Sequence, residues 1–249
     1  MSREMLNEQT WTSSEIREAF PPKSSTMTYG GVSVKTFFFL LVIAGLAAVG
    51  WANADSFLGR GSGLLYLVGF FLLIAITIAA VHNPRLALVA GLLYSVLNGM
   101  WIGAISRYYE TTFDGIVGLA LFGTLAVCLG VLVLFSVGKF RVSPRGAQII
   151  SVLVLGIALL YFFGWLLSLF GVSVDILYGS TPGAILLSLL ILGVAASTLL
   201  VDFTYVEQGV KAGAPKAAEW YAAFGIVSSI VWIYLEVLRL LARLAARNN

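Results

Sequence analysis

The sequence predicts an all-α polytopic membrane protein, a seven-transmembrane-helix bundle, and three observations carry that class. The 249 residues are 59% hydrophobic and only 11% charged, with mean hydropathy +0.96, whereas soluble domains carry about 25% charged residues. The charges cluster, leaving charge-free runs at 36–54, 61–84, 86–106, 115–138, 146–174 and 176–201, and a helix crosses a bilayer with about 20 apolar residues. A seventh run, 220–235, stops at Glu236, but apolar residues resume and continue to Ala246. It counts as a spanning segment with an acid inside it.

The elements follow in order. Residues 1–34 form a polar N-terminal tail: with Pro21-Pro22, Ser24-Ser25 and no apolar core they read neither as a secretory signal nor as a folded module. Residues 35–249 form the transmembrane domain, with helices expected over 35–53, 62–82, 86–107, 114–138, 147–171, 182–206 and 217–245. Asn83-Pro84, Pro144, Pro182 and Gly213-Ala214-Pro215 supply the breaks between them. Connections this short make sequence neighbours antiparallel neighbours in space.

Orientation is read from Lys and Arg in the loops. With the N-terminus inside, the cytoplasmic side holds Arg3, Arg17, Lys23, Lys35, Arg85, Lys139, Arg141, Arg145, Lys211 and Lys216, and the other side Arg60, Arg107, Arg239, Arg243 and Arg247. This favours N-in, C-out, beside an alternative in which the last segment dips in and returns. The net charge of +3 and pI near 9.0 follow from basic loops beside anionic lipid, so the bilayer is the implied partner and nucleic acid is not.

Several activities are excluded by absence. One histidine and one cysteine cannot build a Cys/His zinc site, and one cysteine forms no internal disulfide. A retinal bundle needs a lysine inside its last helix, and Lys216 stands only at the entrance, beside Pro215. Two mid-membrane aspartates in a Gly-x-Gly-Asp setting are missing, and His82, the sole histidine, sits beside Asn83-Pro84 at a helix end. The chain is therefore not expected to be an enzyme, and no cofactor is required.

Ionisable residues inside a bilayer cost a few kcal/mol each unless they find partners, about 2.5–3.5 on insertion scales. Asp202 stands near the end of the sixth segment and Glu236 well inside the seventh. From Asp202 to the turn near Gly213 is about 11 residues, and from that turn to Glu236 about 23, which puts Glu236 some 18 Å deeper. Ser229, two turns before Glu236 on the same face, is closer to the level of Asp202. Two readings stand. Asp202 and Glu207 mark an interfacial helix end while Glu236 pairs with Arg239 one turn on. Alternatively Asp202, Ser229 and Glu236 line the bundle interior as a proton-titratable track, with Asp202 and Glu236 offering oxygen ligands for calcium. Asn98, mid-helix in the third segment and followed by Gly99 and Gly103, is either helix–helix glue at a small-xxx-small pair or part of the ion site. Cys128 reads as a small core residue. Trp51, Trp101, Trp165 and Trp220 near segment ends fit an aromatic belt.

Over about residues 30–245 the chain resembles the Bax inhibitor family, the transmembrane Bax inhibitor motif proteins, and within it the bacterial branch. The resemblance is carried by Leu200-Val201-Asp202-Phe203, Val206-Glu207-Gln208-Gly209, Gly213-Ala214-Pro215-Lys216, Glu219-Trp220-Tyr221-Ala222-Ala223-Phe224-Gly225 and Trp232-Ile233-Tyr234-Leu235-Glu236-Val237-Leu238-Arg239-Leu240-Leu241. It implies seven helices around a central, acid-bearing last one, residence in a bacterial cytoplasmic (inner) membrane, and a pH-sensitive calcium leak. In the family two aspartates on the last two helices share a proton beside an arginine latch. Asp202 matches the first aspartate, whereas the second falls, by spacing from Leu238-Arg239-Leu240-Leu241, at Ser229. Asn98 replaces a family glutamate, and no arginine lies inside the second segment, Arg60 preceding it and Arg85 following it.

The resemblance and the acids together lead to a pH-modulated calcium leak channel, with calcium as permeant ion. The alternative is a membrane interaction protein that modulates a membrane-bound protease or a stress response through the tail, Ser2 to Ser33, with no ion flux of its own.

Overall fold

The computed structural model describes residues 26–58, 68, 69, 71, 72, 74–78, 86–138, 141–172 and 174–248. The helices with continuous description are α1 (Tyr29–Ala52), α2 (Ala54–Leu58), α3 (Ala87–Thr112), α4 (Ile116–Ser136), α5 (Pro144–Leu169), α6 (Asp175–Tyr178), α7 (Pro182–Lys211) and α8 (Ala218–Asn248). Among the described residues, α1, α3, α4, α5, α7 and α8 are long and apolar enough to cross a membrane. Most of the expected second segment lies outside the described residues, and so do His82, Arg60, Arg85 and residues 1–25 of the tail. Of that segment, 68, 69, 71, 72 and 74–78 are helical.

Helix ends differ from expectation where polar residues carry helix. α1 begins at Tyr29, six residues before the expected start at 35, because Thr28 caps it: its side chain accepts from the Gly31 amide. α5 begins at Pro144 rather than 147, with Pro in the first turn and Ser143 accepting from Gly146. α7 passes the expected end at 206 because its last turn is supported by a Glu207–Lys211 pair at 2.7 Å. It stops at Gly213, whose φ of 66° allows the Gly213 amide to reach Val210 O and the Ala214 amide to reach Gly209 O. That double return bond closes a helix at a left-handed residue.

The described residues fall into two compact units. One comprises the described residues of 113–204 and 229–248, the other those of 26–112 and 205–228. In the second unit α1 and α3 approach closely enough for backbones to touch. A Cβ on Gly103 would lie 2.0 Å from Ala47 O, one on Gly99 2.9 Å from Ile43 O, and one on Gly50 2.0 Å from Met100 O. Gly99 and Gly103 thus act as the small residues of a membrane helix crossing. Tyr94 and Phe224 meet edge-to-face at 5.2 Å in the same unit.

In the first unit α8 is the enclosed helix. Ser229, Val231, Ile233, Tyr234, Glu236, Val237, Leu238, Ala242 and Arg243 are all buried. The buried residues of α5, in contrast, are Ala147 and Gly164, while Ile149, Val152, Leu155 and Phe163 point outward. The division has a simple cause. A lipid-facing helix must be apolar around most of its surface, whereas an enclosed one can carry polar side chains that find partners inside the protein.

Candidate functional site

Three polar centres are built on α7 and α8. The first lies within the unit of 113–204 and 229–248. Ser229 Oγ is 2.5 Å from Asp202 Oδ2 and 3.1 Å from Thr198 Oγ1. Thr198 in turn donates to Ala195 O at 2.7 Å. Thr198 and Asp202 are four residues apart on α7 and so share a face, onto which Ser229 of α8 projects. Asp202 is half-buried, and among the described residues its hydrogen-bond partner is a hydroxyl, with no cation paired to it. Ser229, at the level of Asp202 by the count of rise per residue, is thus the α8 residue that meets it.

Glu236 belongs to a second centre, about 10 Å further along α8 than Ser229. Its Oε1 accepts from Arg239 Nη1 at 2.6 Å, Trp232 Nε1 at 3.3 Å and the Tyr161 hydroxyl at 3.4 Å. Arg239 also donates to Tyr161, with its guanidinium 4.7 Å from the ring centre. The Glu236–Arg239 pair anticipated from i,i+3 spacing is present. Glu236 Oε2 is buried and has no hydrogen-bond partner among the described residues. Asp202 and Glu236 make separate sets of contacts, and no group of three His, Cys, Asp or Glu side chains comes together among the described residues. One turn beyond Arg239, Arg243 is buried and donates to Ala184 O, Ser188 Oγ and Leu177 O. It fastens α6 and the first turns of α7 to α8.

The third centre lies in the other unit. Glu219, fully buried in the first turn of α8, pairs with Lys35 and accepts from the Thr28 amide at 3.0 Å and the Thr28 hydroxyl at 3.2 Å. Lys35 lies 5.1 Å from the Trp220 ring centre. The Met27 amide donates to Ala214 O at 2.7 Å, and Thr26 bridges Pro215. These contacts seat the entry of α1 on the turn that opens α8. Asn98, also in this unit, is buried and donates to Tyr94 O on its own helix at 3.3 Å. Glu207 pairs with Lys211.

Residue chemistry alone did not single out Thr198, Tyr161, Arg243 or Glu219 as members of these centres. Thr198 could have been found from its i,i+4 relation to Asp202. Nothing in the sequence places Tyr161 beside Glu236, since 75 residues separate them.

Helices of this length and hydropathy, with polar side chains gathered on an enclosed last helix, define a multi-pass α-helical membrane protein. The Bax inhibitor 1 like family model matches residues 4–246, and the chain belongs to that family. No curated protein and no solved structure matches it.

Proposed function

We propose that this protein is a pH-modulated calcium leak channel in which Asp202, seated on Ser229, is the titrating group. The observation that carries the proposal is the 2.5 Å contact between Asp202 Oδ2 and Ser229 Oγ. It places a carboxyl between two spanning helices with hydroxyls, not cations, around it. Such a group can take up and release a proton, and its charge acts on a cation more strongly there than in water. Ser229 cannot share a proton as a second carboxylate would, so a single acid carries the response. Calcium is the permeant ion rather than a resident one, and no cofactor or covalent chemistry enters. The Glu236–Arg239–Tyr161 centre is a fixed support of α8 rather than a calcium ligand.

The N-terminus faces the cytoplasm, as the Lys and Arg distribution favours, and the helices lie in a bacterial inner membrane, as the resemblance to the bacterial branch of the family implies.

The test is reconstitution into liposomes loaded with a calcium dye. The parent is expected to pass calcium at a rate that varies with pH, and Asp202→Asn to pass it at a rate that does not. Parent liposomes no more permeable than empty ones at any pH would remove the channel. Identical pH profiles for parent and Asp202→Asn would remove the role of this acid.

A further inference from the structure

The contacts around Asp202 contain a proton count. Three oxygen–oxygen contacts run in series: Asp202 Oδ2 to Ser229 Oγ at 2.5 Å, Ser229 Oγ to Thr198 Oγ1 at 3.1 Å, and Thr198 Oγ1 to Ala195 O at 2.7 Å. Each needs one proton, and Ser229 and Thr198 supply one apiece. With Asp202 ionised, two protons serve three contacts, so one always lacks a proton. With Asp202 protonated all three fill, and the chain runs one way: Asp202 donates to Ser229, Ser229 to Thr198, and Thr198 to Ala195 O. Ala195 O is a terminus that only accepts, which fixes the direction of the complete chain.

We infer that Thr198 is a positioning residue for the proton on Asp202, holding the neutral carboxyl by completing a three-bond chain through Ser229. This rests on the reading of Asp202 as the titrating group and specifies how that site is regulated. Ser229 alone can bond either form of the carboxyl. Thr198 makes the difference, because it gives the serine proton somewhere to go once the carboxyl supplies its own. Among the described residues the side-chain hydrogen bond to Asp202 comes from Ser229 of α8, and that serine also meets Thr198 from the helix that carries Asp202. The balance between the two forms is therefore sensitive to one hydroxyl.

The sign follows. Removing the Thr198 hydroxyl leaves the serine-to-carboxylate bond of the ionised form intact but strands the serine proton of the neutral form. In Thr198→Val the pH at which Asp202 is half-protonated should fall by about half to one unit, the equivalent of one ordinary hydrogen bond. Thr198→Ser retains the hydroxyl and should titrate as the parent does. In a Ser229→Ala background the chain is already cut, so Thr198→Val should add no further shift.

The experiment is an infrared pH titration of the full chain in liposomes, following the protonated-carboxyl band that disappears in Asp202→Asn. It needs no ion flux. A lower midpoint in Thr198→Val, the parent midpoint in Thr198→Ser and no added shift in the Ser229→Ala background support the inference. A Thr198→Val midpoint equal to the parent's, or a Thr198→Ser midpoint shifted as far as the valine's, overturns it and leaves the reading of Asp202 standing. If valine is not accommodated, Thr198→Ala, which removes the hydroxyl without adding volume, takes its place under the same criteria. A parent with no Asp202-dependent band at any pH removes the proton-binding role of Asp202 and the inference with it.

Discussion

The clasp between the entry of α1 and the start of α8 makes a prediction whose sign depends on the genetic background. Glu219 is fully buried, pairs with Lys35 and accepts two bonds from Thr28. Removing one partner of a buried ion pair costs about 3–5 kcal/mol. Lys35, whose side chain is 14% exposed, is close enough to water to recover part of that, so Glu219→Ala should cost about 3 kcal/mol. Gly31 sits directly beneath the carboxylate: a Cβ there would lie 2.1 Å from Glu219 Oε1. Gly31→Ala must therefore eject the carboxylate and lose the same contacts, even though alanine in a helix is worth about 0.5–1 kcal/mol over glycine. Once Glu219→Ala has emptied the space, Gly31→Ala should no longer destabilise and should return that propensity gain. The assay is thermal unfolding in lipid nanodiscs. About 2–4 °C is expected per kcal/mol for a chain of this size, so Glu219→Ala should melt about 6–12 °C below the parent, Gly31→Ala, which recovers the propensity gain, about 4–10 °C below it, and the double variant no lower than Glu219→Ala alone. Additive losses in the double variant would refute the reasoning, because they would mean that the two positions do not share one space.

Three further outcomes follow from the same geometry. Ser229→Asp places a second carboxyl within reach of Asp202, and the infrared titration should then show two coupled protonation steps in place of one; a single unshifted step would contradict the contact. Gly103→Val should separate α1 from α3, since even a Cβ would lie 2.0 Å from Ala47 O, with a loss of several kcal/mol, at the upper end of what point substitutions produce, about 4–5; unfolding in nanodiscs would read it. Arg243→Met removes the donor that Ala184 O, Leu177 O and Ser188 share and should loosen α6 from α8, seen as faster hydrogen exchange at Leu177 and Tyr178 with exchange in α1 unchanged.

Much of the fold was legible because a bilayer makes the sequence simple. Long charge-free runs are required of any helix that faces lipid, and α4 and α5 follow that rule closely. The rule fails where helices are enclosed or end in polar turns. Lys35 looked like a boundary because it is charged, yet it lies inside α1, its charge met by Glu219. The end of α7 was placed too early for the same reason, since Glu207 and Lys211 support each other within the helix. At the site, the level of Ser229 relative to Asp202 could be worked out by counting rise per residue, and the two do meet. The Glu236–Arg239 pair was available from spacing alone. Tyr161 and the Lys35–Glu219 clasp were not, because each joins residues 75 or more positions apart and no periodicity reports which distant helix face will be opposite.

The most direct test of the central claim is calcium efflux from liposomes, measured across pH for the parent chain and for Asp202→Asn side by side. The account predicts efflux that rises or falls with pH in the parent through a single transition, and a flat profile in the variant. A variant that keeps the parent's transition, with protein equally folded and equally inserted, would contradict it.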